Sequence, residues 1–482
     1  MSAWNLMTVS SSMLKQPDSR QAAFKLPTSG SMLADVAIAA DDVYSAAAVY
    51  AVASTWQQKA LRSVMFGKRR DVLMLARWEH TPTAVLQAMW QGSDVLNDHS
   101  VQLRLLRNAN TPAQSLIKHS QQVNAQSLLG LISQHPQAPA VLLKQIAVVD
   151  EDTEHLKSVC RNQAADSEVL QALLDRASAD FDRDIVANPH ASAQMLHAIY
   201  RRGDPYVRAA VLGHQACPAD LLDVATDDDE LVVQRQLARD ERLGLSKLQE
   251  FAKHEDAAVR ATVAANRGYP AEQLSIFVVD TSPAVRRALA AREDLSDSLM
   301  RQLSGDEDAW VRQWLGRNPA LRLDLMWELA ADPVLDVRRA VARNTHCPAI
   351  LLEKLAADES GWVRAAVAYQ SNAGRELMMQ LFRDTDIDVL SGVASNPKTP
   401  MALLKRLAKH EDADVRRGVI LNPTVKREVL LPMLEDPYYL HRVLLTGHKK
   451  LTEADKWPLH EDPDNRVRFS VFKWFADRLG GV

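Results

Sequence analysis

Arginine and aromatic side chains recur along this chain at intervals that place them on one strip of successive helices, and that combination binds rather than reacts. Arg287, Arg339 and Arg417 stand two residues past a recurring valine, and Arg317 and Arg343 stand six past it, with Gln313 interrupting the row. Tyr206, Trp310 and Trp362 stand one residue before the same valine, with Tyr369 nearby. Guanidinium groups offer planar donors to carboxylates and phosphates, and Trp with Arg dominate binding hot spots. The spacing points to a partner-binding face made of Tyr206, Arg287, Trp310, Arg317, Arg339, Arg343, Trp362, Tyr369 and Arg417. The competing account is a solvated surface of mixed charge with tryptophans packed between helices. Trp314 fits that account best, because it replaces a small residue that faces the neighbouring unit.

Residues for catalysis are harder to assemble. The chain holds no HExxH, no paired CxxC, no G-x-G-x-x-G and no phosphate-binding loop, and its 17 glycines leave little for loops that cradle anions. Asp41, Asp42, His80, Asp94 and His99 are titratable residues of the less regular N-terminal part, but their spacing fits no mechanism. Cys160, Cys217 and Cys347 are too few and too far apart for a disulfide framework and read as small buried fillers. We therefore expect no catalytic residue, no metal and no cofactor. Lys and Arg number 57 against 61 Asp and Glu, a net charge of −4, which argues against a polyanion-binding protein overall while leaving local patches open. Met1 to Arg20 lacks a basic start followed by an apolar core, and Val43 to Ala53 is too short to span a bilayer. The expectation is a cytoplasmic protein with no membrane contact.

The elements that position these side chains come from an internal repeat. Val207, Val233, Val259, Val285, Val311, Val337, Val363, Val389 and Val415 follow one another at steps of 26 residues. Aliphatic residues stand four past each anchor, such as Val263, Leu289, Val341 and Val419, preceded by small ones such as Ala340, Gly392 and Gly418. That is one face of a short helix. A second apolar pair falls fifteen and eighteen past the anchor, as in Leu352 and Leu355, with Pro218, Pro270, Pro348 and Pro400 where that helix should begin. Nothing alternates with period two, so each unit is two helices and no strand, and each needs its neighbours to fold.

Three polar columns complete the unit. Asp228, Asp280, Asp306, Asp332, Asp358, Asp384, Asp436 and Asp462 precede the anchor helix, where an acid would cap its free N–H groups. Arg208, Arg260, Arg286, Arg312, Arg338, Arg364, Arg416, Arg442 and Arg468 follow the anchor and suggest an Asp–Arg ladder between units. Asn162, Asn188, Asn266, Asn318, Asn344, Asn396 and Asn422 would end the helix in a left-handed conformation. His254 and His410 share one repeat position in Lys-His-Glu-Asp, read as favourable cations at a helix end.

The run Val337 to Asn344, with Pro348, Leu351, Leu352 and Ala356 to Asp358, resembles the leucine-rich repeat variant consensus of bacterial proteins, as does Val415 to Pro423. The resemblance covers about residues 70 to 475 and implies an all-α, right-handed α-solenoid of two-helix repeats without β-sheet. HEAT-like α-solenoids, among them DNA glycosylases that bind duplex DNA, are a close second. One arrangement in the variant family carries an iron–sulfur cluster on a cysteine-rich segment before the repeats. Residues 1 to 159 contain no cysteine, so no iron–sulfur cluster is expected. The organisation read from the sequence is an irregular lead-in over 1–30, a helical cap over 31–70 covering the first unit, divergent repeats over 71–154, regular repeats over 155–474 and a short end at 475–482. Its function reads as a non-catalytic scaffold binding a protein or peptide, the alternative being a nucleic-acid-binding protein that uses the arginine pairs 286/287, 338/339 and 416/417.

Overall fold

The computed structural model describes residues 26–480, apart from 93–96, 123–125 and 177. Every regular element among the described residues is a helix. Asp94 and most of the expected lead-in lie outside the described residues.

Two compact units emerge: residues 76–425, and a second unit formed by the chain up to Leu75 together with Lys426 onward. In the first unit, anchor helices such as Ala309–Arg317, Leu335–Arg343 and Gly361–Ala368 alternate with shorter helices such as Leu323–Leu329 and Ala349–Leu355. Each anchor helix packs against the anchor helix of the next repeat. Val337, Val341, Leu352 and Leu355 are buried, as the columns require. The small residues matter through distance: a Cβ on Gly392 would lie 2.6 Å from Ala368 Cβ, and one on Gly418 2.8 Å from Ala394 Cβ. Pro218, Pro348 and Pro400 hold the position just before the second helix, in extended geometry.

The Asp–Arg ladder is present. Arg208, Arg260, Arg286, Arg312, Arg338 and Arg364 each grip, with Nε and Nη2, both carboxylate oxygens of the Asp 20 residues ahead, in the next unit. The third guanidinium nitrogen turns back: Nη1 of Arg338 donates to the carbonyl of Asp332 at 2.9 Å, and Nη1 of Arg312 to that of Asp306 at 2.6 Å. One side chain thus satisfies the turn of its own unit and the carboxylate of the next, in charge-assisted, bidentate bonds. The pair Arg338–Asp358 is buried on both sides.

The capping expectation needs correcting. The ladder aspartates do not cap the anchor helix; their Oδ1 accepts the N–H two residues on, as Asp332 does from Val334 at 2.8 Å. A different acid, two residues later, does the capping: Asp308 after Asp306 and Asp386 after Asp384 accept N–H groups that open the helix, as Asp256 and Asp412 do in units whose ladder position holds histidine. Both acids lie in one turn, so the sequence shows them side by side without separating their jobs.

The asparagine column is corrected too. Asn266, Asn318, Asn344, Asn396 and Asn422 close their helices in extended geometry, with φ between −63° and −73°. The non-glycine residue with positive φ among those described is Asp41. What selects Asn is its amide. Nδ2 of Asn344 donates to Gly316 O at 3.0 Å and Asn318 O at 2.8 Å in the preceding unit, while its Oδ1 accepts His346 N–H. The same pattern repeats at Asn162, Asn188, Asn318, Asn396 and Asn422, and Gln370 substitutes in its slot.

Where the charged ladder breaks, both partners change together. Gln234 replaces Arg where His254 replaces Asp, and Leu390 replaces Arg where His410 replaces Asp. His254 and His410 accept the same loop N–H through Nδ1, from Asp256 at 2.9 Å and Asp412 at 3.1 Å. A ring that accepts there is neutral at Nδ1, so these histidines replace the aspartate as acceptors, not as the helix-end cations the sequence suggested. One rung is reversed: Arg202 occupies the Asp position and holds Asp182 in the Arg position, Nε to Oδ2 at 2.9 Å.

In the second unit, helices Gly30–Ala40 and Val43–Val49 pack on the C-terminal helix Asn465–Leu479. Arg468 takes its carboxylate from an earlier part of the chain. Asp42 supplies it, accepting Arg468 Nη2 at 2.9 Å while also capping Val43–Val49 through Ser45 N–H. Thus Val43–Val49, with Asp42 before it, stands beside Asn465–Leu479 as one repeat stands beside the next.

Two expected outcomes follow from the ladder. Arg260→Gln leaves the part-buried Asp280 carboxylate without its partner and costs about 2 kcal/mol; adding Asp280→His recreates the Gln234–His254 combination and restores more than half of that loss in urea unfolding. Equal stability of the single and double variants would contradict the rung as its source. The second outcome concerns pH. Hydrogen bonds from Arg260 and Arg364 hold Asp280 and Asp384 below the ordinary carboxylate range. Burial alone would raise Asp42 and Asp358, yet Arg468 and Arg338 hold these below it as well. Asp455, gripped by Arg427, is lowered to about 2. Depressed folded values stabilise fully above the unfolded value and cease to do so as pH falls through the folded ones. The melting temperature is expected to stay level from pH ~7 to ~5 and to drop below pH ~4.

Candidate basic and aromatic surface

The candidate residues lie on anchor helices, on the side away from the buried valines. Three consecutive ones carry the densest set: Ala309–Arg317, Leu335–Arg343 and Gly361–Ala368. Arg339 reaches across to the next unit and places its guanidinium 5.1 Å from the Trp362 ring centroid. Its Nε is buried with no hydrogen-bond partner, and its Nη1 lies 3.9 Å from Asp336 Oδ1. Arg317 lies over Trp314 at 5.7 Å. Both are cation–π arrangements, worth about 0.5 to 1 kcal/mol where solvent reaches them.

Arg343 sits between them. Burial, then the charges of Arg339 and Arg317, push its guanidinium below its ordinary value. No carboxylate contacts Arg317 or Arg343 among the described residues. This contrasts with Arg338, one residue from Arg339, whose charge is fully spent on Asp358 and Glu359. The next residue in the Arg317–Arg343 column is Tyr369, 58% exposed. Burial, then Asp388 and Asp414, raise its hydroxyl pKa.

Other candidates are placed apart from this cluster. Trp310 is 61% exposed on Ala309–Arg317, and Tyr206 is 70% exposed on Pro205–Leu212. Arg287 is half-buried on Pro283–Ala290 and Arg417 exposed on Ala413–Leu421. Among the described residues no ring or ion-pair contact joins these four to Arg339, Arg343 or Trp362. Trp314 corrects the sequence reading: it is 42% exposed and lies in the cluster, not packed out of sight against the next unit. Its spacing of three from Arg317 on a helix was the available signal.

Elsewhere the titratable candidates are structural or scattered. Asp42 is spent on Ser45 and Arg468. His80 is exposed beside Glu79 and packs edge-on to Trp78, and His99 opens the helix His99–Arg107. Cys160, Cys217 and Cys347 are buried, and burial pushes the Cys160 and Cys347 thiols up to about 12. No described helix is long and apolar enough to cross a membrane.

The chain is similar to a solved leucine-rich repeat variant. The two share 25% identity over 51% of this chain and 87% of that one, with a TM-score of 0.30. A solved engineered protein matches at 14% identity over 78% of this chain and 97% of its own, with a TM-score of 0.17. No family model matches the chain, and a search of curated proteins returns no relative. The two-helix repeat itself stands on the helices and rungs described above.

Neutralising a guanidinium that is crowded by two others removes repulsion without orphaning an acid. Arg343→Gln is therefore expected to leave the melting temperature unchanged or raise it, whereas Arg338→Gln lowers it by several degrees. A large loss of stability in Arg343→Gln would show that this charge is structural.

Proposed function

We propose that this protein is a non-catalytic scaffold that binds a protein or peptide partner at the Trp314, Arg317, Arg339, Arg343 and Trp362 surface. The observation that carries this reading is the pair of arginines, Arg317 and Arg343, that lack any carboxylate among the described residues in a chain where so many others are paired. Crowded guanidinium groups without a carboxylate favour an incoming anion, and flanking indoles add apolar contact at low conformational cost. An acidic peptide with an apolar side chain to set on Trp362 meets both demands. Tyr206, Arg287, Trp310, Tyr369 and Arg417 would extend contact along the same strip for a longer partner.

The nucleic-acid reading draws less support than the sequence suggested. Of the pairs 286/287, 338/339 and 416/417, the first member is buried in each case, and Arg286 and Arg338 are held by ladder aspartates. Each pair thus offers a partner one arginine, not two.

Selection of peptides on the full chain, followed by titration of tryptophan fluorescence, tests the proposal. Selected peptides are expected to be acidic, and Arg317→Gln with Arg343→Gln to weaken them by about tenfold or more. Unaltered affinity in that variant and in Trp362→Ala would remove this surface from consideration. Duplex DNA serves as the competitor: binding whose log–log salt slope approaches about −0.9 per phosphate would favour the nucleic-acid reading instead.

A further inference from the structure

A second site lies in the unit formed by the two ends of the chain. Lys456 is 2% exposed, one of the largest fully buried side chains, yet it is a lysine. It closes the short helix Glu453–Lys456 and points its ammonium at the face of Trp474, 3.9 Å from the ring centroid. A lysine ammonium has three donors to satisfy, and an indole face satisfies charge but not direction. No hydrogen bond or ion pair to this ammonium exists among the described residues.

The two nearest acids are already committed. Asp455 accepts Thr452 N–H at 2.8 Å in a capping box and is gripped by Arg427 through both oxygens. Glu453 pairs with Arg478 at 2.5 Å. Burial, then the charge of Arg478, lowers the Lys456 pKa, while Asp455 and Glu453 only partly offset this. The ammonium therefore faces an indole ring and two carboxylates already bonded to other partners.

Beside it opens a cleft of about 540 Å³. Lys456, Lys449 and Arg478 line it against a single carboxylate, Glu453, so its walls carry excess positive charge. Leu26, Leu451, Ala454 and Trp474 supply its apolar surface. Such a volume lies within the range of small-molecule sites, roughly 300 to 1,000 Å³, and a few convergent polar groups on apolar walls are their usual construction.

We propose that this cleft binds a small organic carboxylate, its anionic oxygens on the Lys456 ammonium with Lys449 and Arg478 at the rim, and its apolar body against Leu26, Leu451 and Ala454. The site is separate from the basic and aromatic surface of the repeats and does not depend on the scaffold reading.

Calorimetric titration of the full chain with benzoate and hexanoate, and with the neutral benzamide and hexanol as counterparts, tests it. At least one carboxylate is expected to bind while its neutral counterpart binds about tenfold more weakly or not at all, and Lys456→Met to abolish the difference. Should Lys456→Met fail to fold, Lys449→Gln with Arg478→Gln, both exposed positions, are expected to weaken the carboxylate by about threefold or more. Equal binding of acid and neutral counterpart, undiminished binding in the variants, or no binding of either carboxylate up to about 10 mM would overturn the proposal.

Discussion

The arginine that follows each anchor valine does three things at once, and the repeat depends on their coincidence. It spans to the carboxylate of the next unit, turns back to a carbonyl in its own, and does so at low solvent exposure. A buried ion pair adds little net stability over a well-packed apolar pair, but removing one partner is costly. Its physical effect is therefore to specify register: a unit displaced by one position would bury a guanidinium or a carboxylate alone. The chain respects this rule where it departs from it. Gln234 comes with His254, Leu390 with His410, and Asp182 with Arg202, so these three departures leave no orphaned charge.

The asparagine amides act on the opposite problem. Short helices leave carbonyls unsatisfied at every C-terminus, and a stack of them multiplies the number. Each Asn spans to two such carbonyls of the preceding unit and returns its own to the next. Histidines continue the row at positions 135 and 214, and Arg292 takes over at its slot with Nη1 on Asn266 O at 2.6 Å. The arginine rungs and amide rungs together tie each unit to its neighbours by polar bonds, leaving valines and leucines to fill the space between. The arrangement also explains why arginine is so unevenly available to a partner. One column is consumed internally, while the columns one residue further round the helix and four beyond that face outward.

How much of this was legible in the sequence differs by residue. The period, the two-helix unit, the buried valines and the Asp–Arg ladder all follow from column composition, because a position that is aliphatic or charged in every unit has one environment in every unit. The site was half legible: Trp362, Arg339 and Arg343 could be assigned to one strip from helical spacing alone, but Trp314 was assigned inward because its neighbours in the column are small. Lys456 carried no signal, since nothing in a linear reading brings it to Trp474 or shows Asp455 and Glu453 already occupied.

What the sequence by itself determined is therefore the repeating part, where local spacing and nearest-neighbour contacts decide each residue's surroundings. Only the tertiary structure decided the rest: that Asn is chosen for its amide and not its backbone, that His254 stands in for an aspartate, that Asp42 completes the rung of Arg468, and which charges remain unpaired. Each depends on where a side-chain hydrogen bond points, within a loop for His254 or to the preceding unit for Asn266, or on contact between residues as distant as Asp42 and Arg468. Column statistics record which residue types recur; they do not record where a donor points.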